Sequence, residues 1–282
     1  MAFSITQSGR LLRDGRAVEL IDSPASHTGG AIGTPPKVIV MHFTFGGTAR
    51  SSADWFRSPQ NSGKSSAHVV IERDGSVIQC VPFTTFANHA GKSTWTGAVG
   101  MNRHSFGIEM ANWGYLTRKP DGWTTWTGQL IADPVLAVHK NGNPDGSATP
   151  LGWEPYRAAQ IEAAEGIARA LIAKFGCDEI VGHEDISKGR KWDPGPGFDM
   201  AHFRSSVLED MADPGDNSLS VTVAEGLNLR RGPGTAFEVI KLLAAGTRVT
   251  PIEQSGNWLM VNVLNPSGSP TLTGWAHKAF LG

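Results

Sequence analysis

A run of four apolar residues, Val38-Ile39-Val40-Met41, ends on a histidine, His42. An unbroken apolar run of this length predicts a strand buried on both faces. Two further runs, 68–72 and 76–81, flank Asp74-Gly75. Asp-Gly between β-type runs predicts a hairpin. Residues 105–110, Ser-Phe-Gly-Ile-Glu-Met, read as another short strand. The period then changes. Ile161, Ala164, Ala168, Leu171, Ile172 and Phe175 recur at helical spacing, and Gly176 is placed to stop that helix. Residues 179–182 predict a short strand that delivers His183. Strands alternating with helix imply an α/β fold, a mixed central β-sheet flanked by helices.

Three stretches break this pattern. Residues 1–36 read as an irregular polar extension, closed by Pro35-Pro36. Residues 113–155 read as a long loop or insertion, with Trp113, Tyr115, Trp123, Trp126 and Trp153 set among Gly, Thr and Pro. Residues 211–218 read as a linker between a first domain, 1–210, and a second, 219–282. Beyond the linker no helical period appears. Short β-type runs at 221–224, 239–243, 248–253, 258–263 and 274–276 are split by Gly and Pro turns, which predicts a small all-β barrel.

Bulk properties narrow the class. The 282 residues carry a net charge of −1, without the basic excess of a dedicated nucleic-acid binder. No run approaches the roughly 18 apolar residues of a membrane span. The first residues lack the apolar stretch of about 7–15 residues that a signal peptide needs. The expectation is a chain made in the cytoplasm that acts after release or delivery. Cys80 and Cys177 lie in no CxxC pair, so a zinc finger is not expected. Two free buried thiols or one disulfide between them both fit.

The candidate chemistry rests on His42, His183 and Asp193. Each histidine follows a predicted strand, where side chains can converge at a sheet edge, and the prolines after Asp193 stiffen its loop. Two imidazoles and a carboxylate form a catalytic Zn2+ set that leaves a fourth tetrahedral position for water. Glu109 lies on a predicted strand between Ile108 and Met110, where an ionised carboxylate is costly without a partner.

Seven segments in order carry a resemblance. They are Met41-His42, Ser66-Ala67-His68-Val69-Val70-Ile71, Arg73-Asp74-Gly75, Asn88-His89-Ala90-Gly91, Phe106-Gly107-Ile108-Glu109, Gly182-His183-Glu184-Asp185-Ile186 and the run from Lys191 through Trp192-Asp193-Pro194-Gly195-Pro196 to Asp199. Over about residues 37–204 the chain resembles the zinc-dependent N-acetylmuramoyl-L-alanine amidases. That group includes phage endolysins, cytosolic anhydro-muropeptide amidases and peptidoglycan recognition proteins. Residues 219–282 resemble a bacterial SH3-like wall-binding module through Leu227-Asn228-Leu229-Arg230-Arg231-Gly232-Pro233-Gly234-Thr235, Gly256-Asn257-Trp258 and Gly274-Trp275-Ala276-His277.

The resemblance implies that His42, His183 and Asp193 hold Zn2+, that Glu109 is the acid/base, and that Lys191 faces the oxyanion. His68 and His89 match histidines near the family's groove, where they contact substrate or hold a loop. Asn88 and Arg103 are candidates for contacts to sugar or peptide, and Thr44 for the cleft wall near His42. Two positions depart from the family. Ala67 stands where some branches place a catalytic tyrosine, and bulky Trp192 separates Lys191 from Asp193. The tryptophan-rich insertion either stacks on sugar rings or packs on itself as a lid. The implied function is hydrolysis of peptidoglycan by an endolysin, with peptidoglycan as partner and neither nucleic acid nor membrane insertion. Alternatives are an amidase delivered by a secretion system, a cytosolic recycling amidase, a peptidoglycan binder that does not cut, and a tail that binds proline-rich peptides.

Overall fold

The computed structural model describes residues 2–209, 218–265 and 270–282. Most of the expected linker, 211–217, lies outside the described residues. The chain divides into two compact units, Met1–Leu208 and Glu209–Gly282.

The first unit is built on a six-stranded mixed sheet. Its order is Glu179–Gly182, Val38–Phe43, Ser105–Met110, Val69–Ile71, Val77–Gln79 and Glu19–Leu20. The first four strands are mutually parallel, and the hairpin pair is antiparallel. Side chains alternate across the sheet. Ile39, Met41, Phe106, Ile108 and Met110 join the core that includes Ile167, Leu171, Phe203 and Val207 of two helices, Ala158–Phe175 and Met200–Glu209. Each large aliphatic side chain so buried contributes roughly 1.5–3 kcal/mol. On the opposite face, Val70 and Ile78 pack on Ala53 and Phe56 of a helix at Ala49–Arg57. The strip of that face carrying His42 and Glu109 is left for chemistry.

Several elements differ from the sequence expectation. The helix at Ala158–Phe175 begins three residues before its first periodic apolar position and ends on Gly176, whose φ of 66° suits glycine. The helices at Ala49–Arg57 and Met200–Glu209 were not legible. The first is short and carries two serines and two arginines, yet its buried positions Ala49, Ala53 and Phe56 follow helical spacing. Residues 1–36 are not a loose extension. Phe3–Ile5, Leu11–Arg13 and Arg16–Ala17 form a small meander, and Ile5 and Leu11 enter the main core. The buried Gln79 amide fastens it, accepting from Leu11 N and donating to Gly9 O. Strands of two or three residues are too short to show a period.

The insertion also has structure of its own. Thr117–Lys119, Gly122–Thr124 and Leu130–Ile131 form one sheet, and Val135–Ala137 pairs with Leu151–Trp153 in another. It is anchored at Glu154, which accepts from Nε and Nη2 of Arg73 at 2.8 and 2.9 Å. Cys80 and Cys177 are free, buried thiols, and burial pushes the Cys177 thiol up to about 12. Among the described residues, no helix is long and apolar enough to cross a membrane.

The second unit is all β. Its sheet order is Leu219–Ser220, Arg248–Ser255, Trp258–Leu264, Pro270–His277, Leu227–Arg230 and Val239–Leu243. The strand expected at 221–224 is absent. Val221 makes only an isolated bridge to Leu281, and the strand nearby is Leu227–Arg230. Val221, Leu227, Leu229, Leu243, Val249, Val261 and Val263 fill the core.

His68 braces the first unit from inside. Its Nδ1 accepts from Gly107 N at 3.0 Å and its Nε2 donates to Thr85 O at 3.1 Å. Burial lowers its pKa from 6.5 to about 3. Between those values the unfolded chain binds a proton that the folded chain refuses. His68 therefore favours folding fully above pH 6.5 and progressively less as pH falls towards 3. Acidification across that window is expected to cost a few kcal/mol through this group. Unfolding free energies at pH 6.5 and 4 in chelator test this. His68→Gln, which keeps a donor and an acceptor, should flatten the dependence, and an unchanged slope would refute the assignment.

Candidate metal centre

Parallel strands bring their C-terminal ends to one edge, where open α/β sheets place their ligands. His42 lies directly opposite Glu109, and Gly182 opposite Met41, so His183 follows at the level of His42. After Gly182 the chain turns into one helical turn, His183–Ile186, with Gly182 N donating to Asp185 Oδ2. The loop then returns to bring Asp193 alongside.

Three atoms converge there. Nδ1 of His42 and Nδ1 of His183 are 2.9 Å apart, and Oδ2 of Asp193 lies 2.8 and 2.9 Å from them. All three residues are buried. The far side of each ring decides what the near side offers. Nε2 of His183 faces the Ala90 carbonyl at 3.1 Å, which only accepts, so that nitrogen carries the hydrogen. Ser105 Oγ donates to Met101 O and can therefore accept from Nε2 of His89 at 3.3 Å. Nδ1 of His89 is then an acceptor for Nε2 of His42 at 2.9 Å. With these tautomers, both Nδ1 atoms turn lone pairs to the centre, beside a carboxylate oxygen. Three lone pairs meeting without a proton between them repel unless a cation sits among them. Two imidazole nitrogens and one carboxylate oxygen suit zinc, and ring hydrogens tied to fixed acceptors are the usual support of a metal-binding histidine.

Charge states agree with that arrangement. Burial first, then His183, lowers the His42 pKa to about 4, which keeps the imidazole neutral. Burial alone would raise Asp193, but His183 and His42 together hold its carboxyl well below the usual range. His89 is pushed well below its ordinary value, mainly by burial. It fits only because residue 107 is glycine, since a Cβ there would lie 2.4 Å from the His89 ring.

Glu109 lies on the strand next to His42. Its Oε2 is buried without a hydrogen-bond partner. Burial, then Asp193, raises its pKa to about 8, opposed by Lys191. An acid poised near neutrality and aimed into a cleft is the property an acid/base catalyst needs.

The cleft holds about 360 Å³. Thr44, Asn88, His89, Glu109, His183, Lys191 and Asp193 line it, and His42 does not stand among its lining residues. His68 and Arg103 do not stand among the lining residues. His68 is enclosed by backbone, and the Arg103 guanidinium lies over the Phe86 ring, 5.8 Å from its centroid. Ala67 is fully buried in the core under the Ala49–Arg57 helix. Sequence reading missed Phe45, Trp55 and Arg190, which also line the cleft together with Tyr115 of the insertion. For Trp55 the available signal was the helical spacing of Ala49, Ala53 and Phe56, which turns Trp55 outwards.

The insertion fixes the loop of Asp193. Glu184 Oε2 accepts from His139 Nε2 at 2.6 Å and from Gly195 N at 3.1 Å. Lys140 Nζ reaches Glu184 and Asp185, each at 2.7 Å, and Trp192 Nε1 donates to Gly142 O. Gly195, with φ of 71°, lies so close to Trp153 that a Cβ would approach its ring to 2.9 Å. The insertion therefore packs on its own frame and contributes Tyr115 to the cleft lining.

The profile of the N-acetylmuramoyl-L-alanine amidase family matches residues 32–196, and that of the bacterial SH3 domain matches 225–282. The chain is 33% identical over 147 residues to the 1,6-anhydro-N-acetylmuramyl-L-alanine amidase AmpD of Escherichia coli K12, covering 51% of this chain and 60% of that protein. It is 30% identical over 166 residues to the N-acetylmuramoyl-L-alanine amidase AmiD of the same organism, covering 57% and 50%. The chain thus spans between half and three-fifths of the length of these relatives. Among solved structures, an AmpD derivative matches with a TM-score of 0.46 at 26% identity, over 67% of this chain and 94% of that one. The profile match takes in His42, Glu109, His183 and Asp193, and the chain belongs to the N-acetylmuramoyl-L-alanine amidase family, with a bacterial SH3 domain behind the amidase unit.

Proposed function

We propose that the chain hydrolyses the amide joining the lactyl group of N-acetylmuramic acid to the L-alanine of the peptidoglycan stem peptide. The observation that carries this reading is the convergence of His42 Nδ1, His183 Nδ1 and Asp193 Oδ2 at the cleft that Glu109 lines with an unpartnered Oε2. When bound there, zinc supplies the Lewis acidity that activates water near neutral pH and polarises the amide carbonyl.

The remaining work falls to side chains of the cleft. Glu109 Oε2 accepts the proton of the attacking water and delivers it to the departing amide nitrogen. No covalent intermediate is needed, so no serine or cysteine nucleophile is required. The Lys191 ammonium lines the cleft and would stabilise the negative charge that develops as the carbonyl carbon becomes tetrahedral, an effect often worth about 3–4 kcal/mol. His89 and Ala90 hold the two histidine rings by their outer nitrogens. The insertion contributes Tyr115 to the cleft and fixes the Asp193 loop.

The tail supports a setting at the cell wall. A module that grips polymer raises the local concentration of scissile bonds, which favours lysis of intact wall, as by an endolysin, over recycling of small soluble fragments. A chain serving delivery by a secretion system would use the same parts.

Digestion of purified sacculi followed by mass spectrometry should show stem peptides released with a free N-terminal L-alanine and intact glycan. Cleavage at any other bond would refute the reading. In the same assay Glu109→Gln should retain zinc and lose activity by about 10²–10⁴-fold, and wild-type turnover would remove Glu109 from the chemistry. Deleting residues 214–282 should weaken attack on intact wall several-fold more than attack on a soluble muropeptide. Equal loss on both would show that the tail is no tether.

A further inference from the structure

Four consecutive residues of the insertion grip the loop that carries Asp193. His139 Nε2 donates to Glu184 Oε2 at 2.6 Å, Lys140 Nζ to Glu184 Oε1 at 2.7 Å, and Asn141 Nδ2 to Glu184 O at 2.8 Å. Gly142 O accepts from Trp192 Nε1 at 3.0 Å. Three of the four therefore end on one residue, Glu184, and Glu184 in turn straddles the loop. Its backbone N donates to Asp193 O at 2.9 Å, and its Oε2 accepts from Gly195 N at 3.1 Å. The residue that follows His183 thus holds the chain at Asp193 and again two residues beyond it.

The grip is a buried polar network. Glu184 is 4% exposed and His139 2%. A carboxylate so far from water is costly unless donors surround it, and His139, Lys140 and Gly195 supply them. His139 is itself fixed. Its Nδ1 accepts from Asn141 N at 3.0 Å, which leaves the hydrogen on Nε2, and its own N donates to Asn143 Oδ1 at 2.8 Å. The two histidines of the centre lie on or directly after strands of the central sheet, whereas Asp193 lies on no strand. Among the described residues its carboxylate has only His42 and His183 within hydrogen-bonding distance. Its aim therefore follows from where its backbone is held. Besides Glu184, Tyr156 holds that backbone, with its hydroxyl donating to Pro194 O at 2.9 Å.

We propose that the 139–142 segment sets how tightly the centre holds its metal, with His139 and Glu184 as positioning residues that act through Asp193. A loop that occupies its productive place for about a tenth of the time weakens the apparent affinity about tenfold. Loss of the hydrogen bonds that support a metal site commonly weakens metal binding by about 10–100-fold. The inference rests on the zinc centre of the amidase reading and does not depend on which substrate is cut.

The test is the zinc affinity of the full chain, measured by competition with a chromophoric chelator at a temperature where each variant is folded. H139L removes the donor to Glu184 and should weaken zinc binding about 10–100-fold. H139Q keeps an amide donor and should restore affinity to within about threefold of wild type. K140M alters a side chain that is 49% exposed, so it spares the fold and should weaken zinc a few-fold. It decides the question by itself if H139L does not fold. In an Asp193→Ala background neither H139L nor K140M should change zinc affinity by more than about twofold, because the residue they act through is gone. Zinc bound as tightly by the folded variants as by wild type would overturn the proposal, as would an equal fold loss with Asp193 present and absent. A wild-type chain that bound no zinc would instead sink the centre itself, and this inference with it.

Discussion

The arrangement depends on where two imidazoles are forced to put their hydrogens. Ala90 O takes the outer hydrogen of His183, and the His89–Ser105 chain takes that of His42. What remains for the interior is a pair of lone pairs and the Asp193 carboxylate within 2.9 Å of one another. Such a cluster is repulsive by itself and becomes favourable around a divalent cation. The cluster is therefore shaped by hydrogen bonds made outside it, and His89 positions the His42 ring.

The rest of the first unit serves to hold that cluster at a sheet edge. Parallel strands put His42 and Glu109 side by side in register and deliver His183 at the same level. Apolar residues on the other face lock those strands to the Ala158–Phe175 helix. Asp193 comes from a loop and needs a separate hold. It gets one from the insertion, through His139 and Lys140 on Glu184 and through Trp153 against Gly195. A segment that contributes none of the three converging side chains thus fixes the position of one.

Much of this was legible in the chain itself. The apolar run before His42, the Asp74-Gly75 hairpin and the periodic helix ending at Gly176 are strong local signals, and structure follows them closely. His42, Glu109, His183 and Asp193 were readable because ordered short motifs surround them. Other features were set by tertiary contact. Leu11 and Ile5 give no period in strands of three residues. The helix at Ala49–Arg57 hides behind polar composition, and with it Trp55. His68 and His89 look alike in sequence, yet backbone partners claim both nitrogens of one, while the other holds the His42 ring. The groove lined by Lys92, Asp185, Lys188 and Arg190 depends on two turns, at 92–97 and 185–190, that only folding brings together.

The most direct test of the centre is X-ray absorption at the zinc edge on the metal-loaded full chain. The account predicts one zinc per chain with two imidazole nitrogens, one carboxylate oxygen and one further light atom, and a spectrum that loses an oxygen contribution in Asp193→Ala. A sulfur shell, an all-oxygen six-coordinate site, or a spectrum indifferent to Asp193 would contradict it.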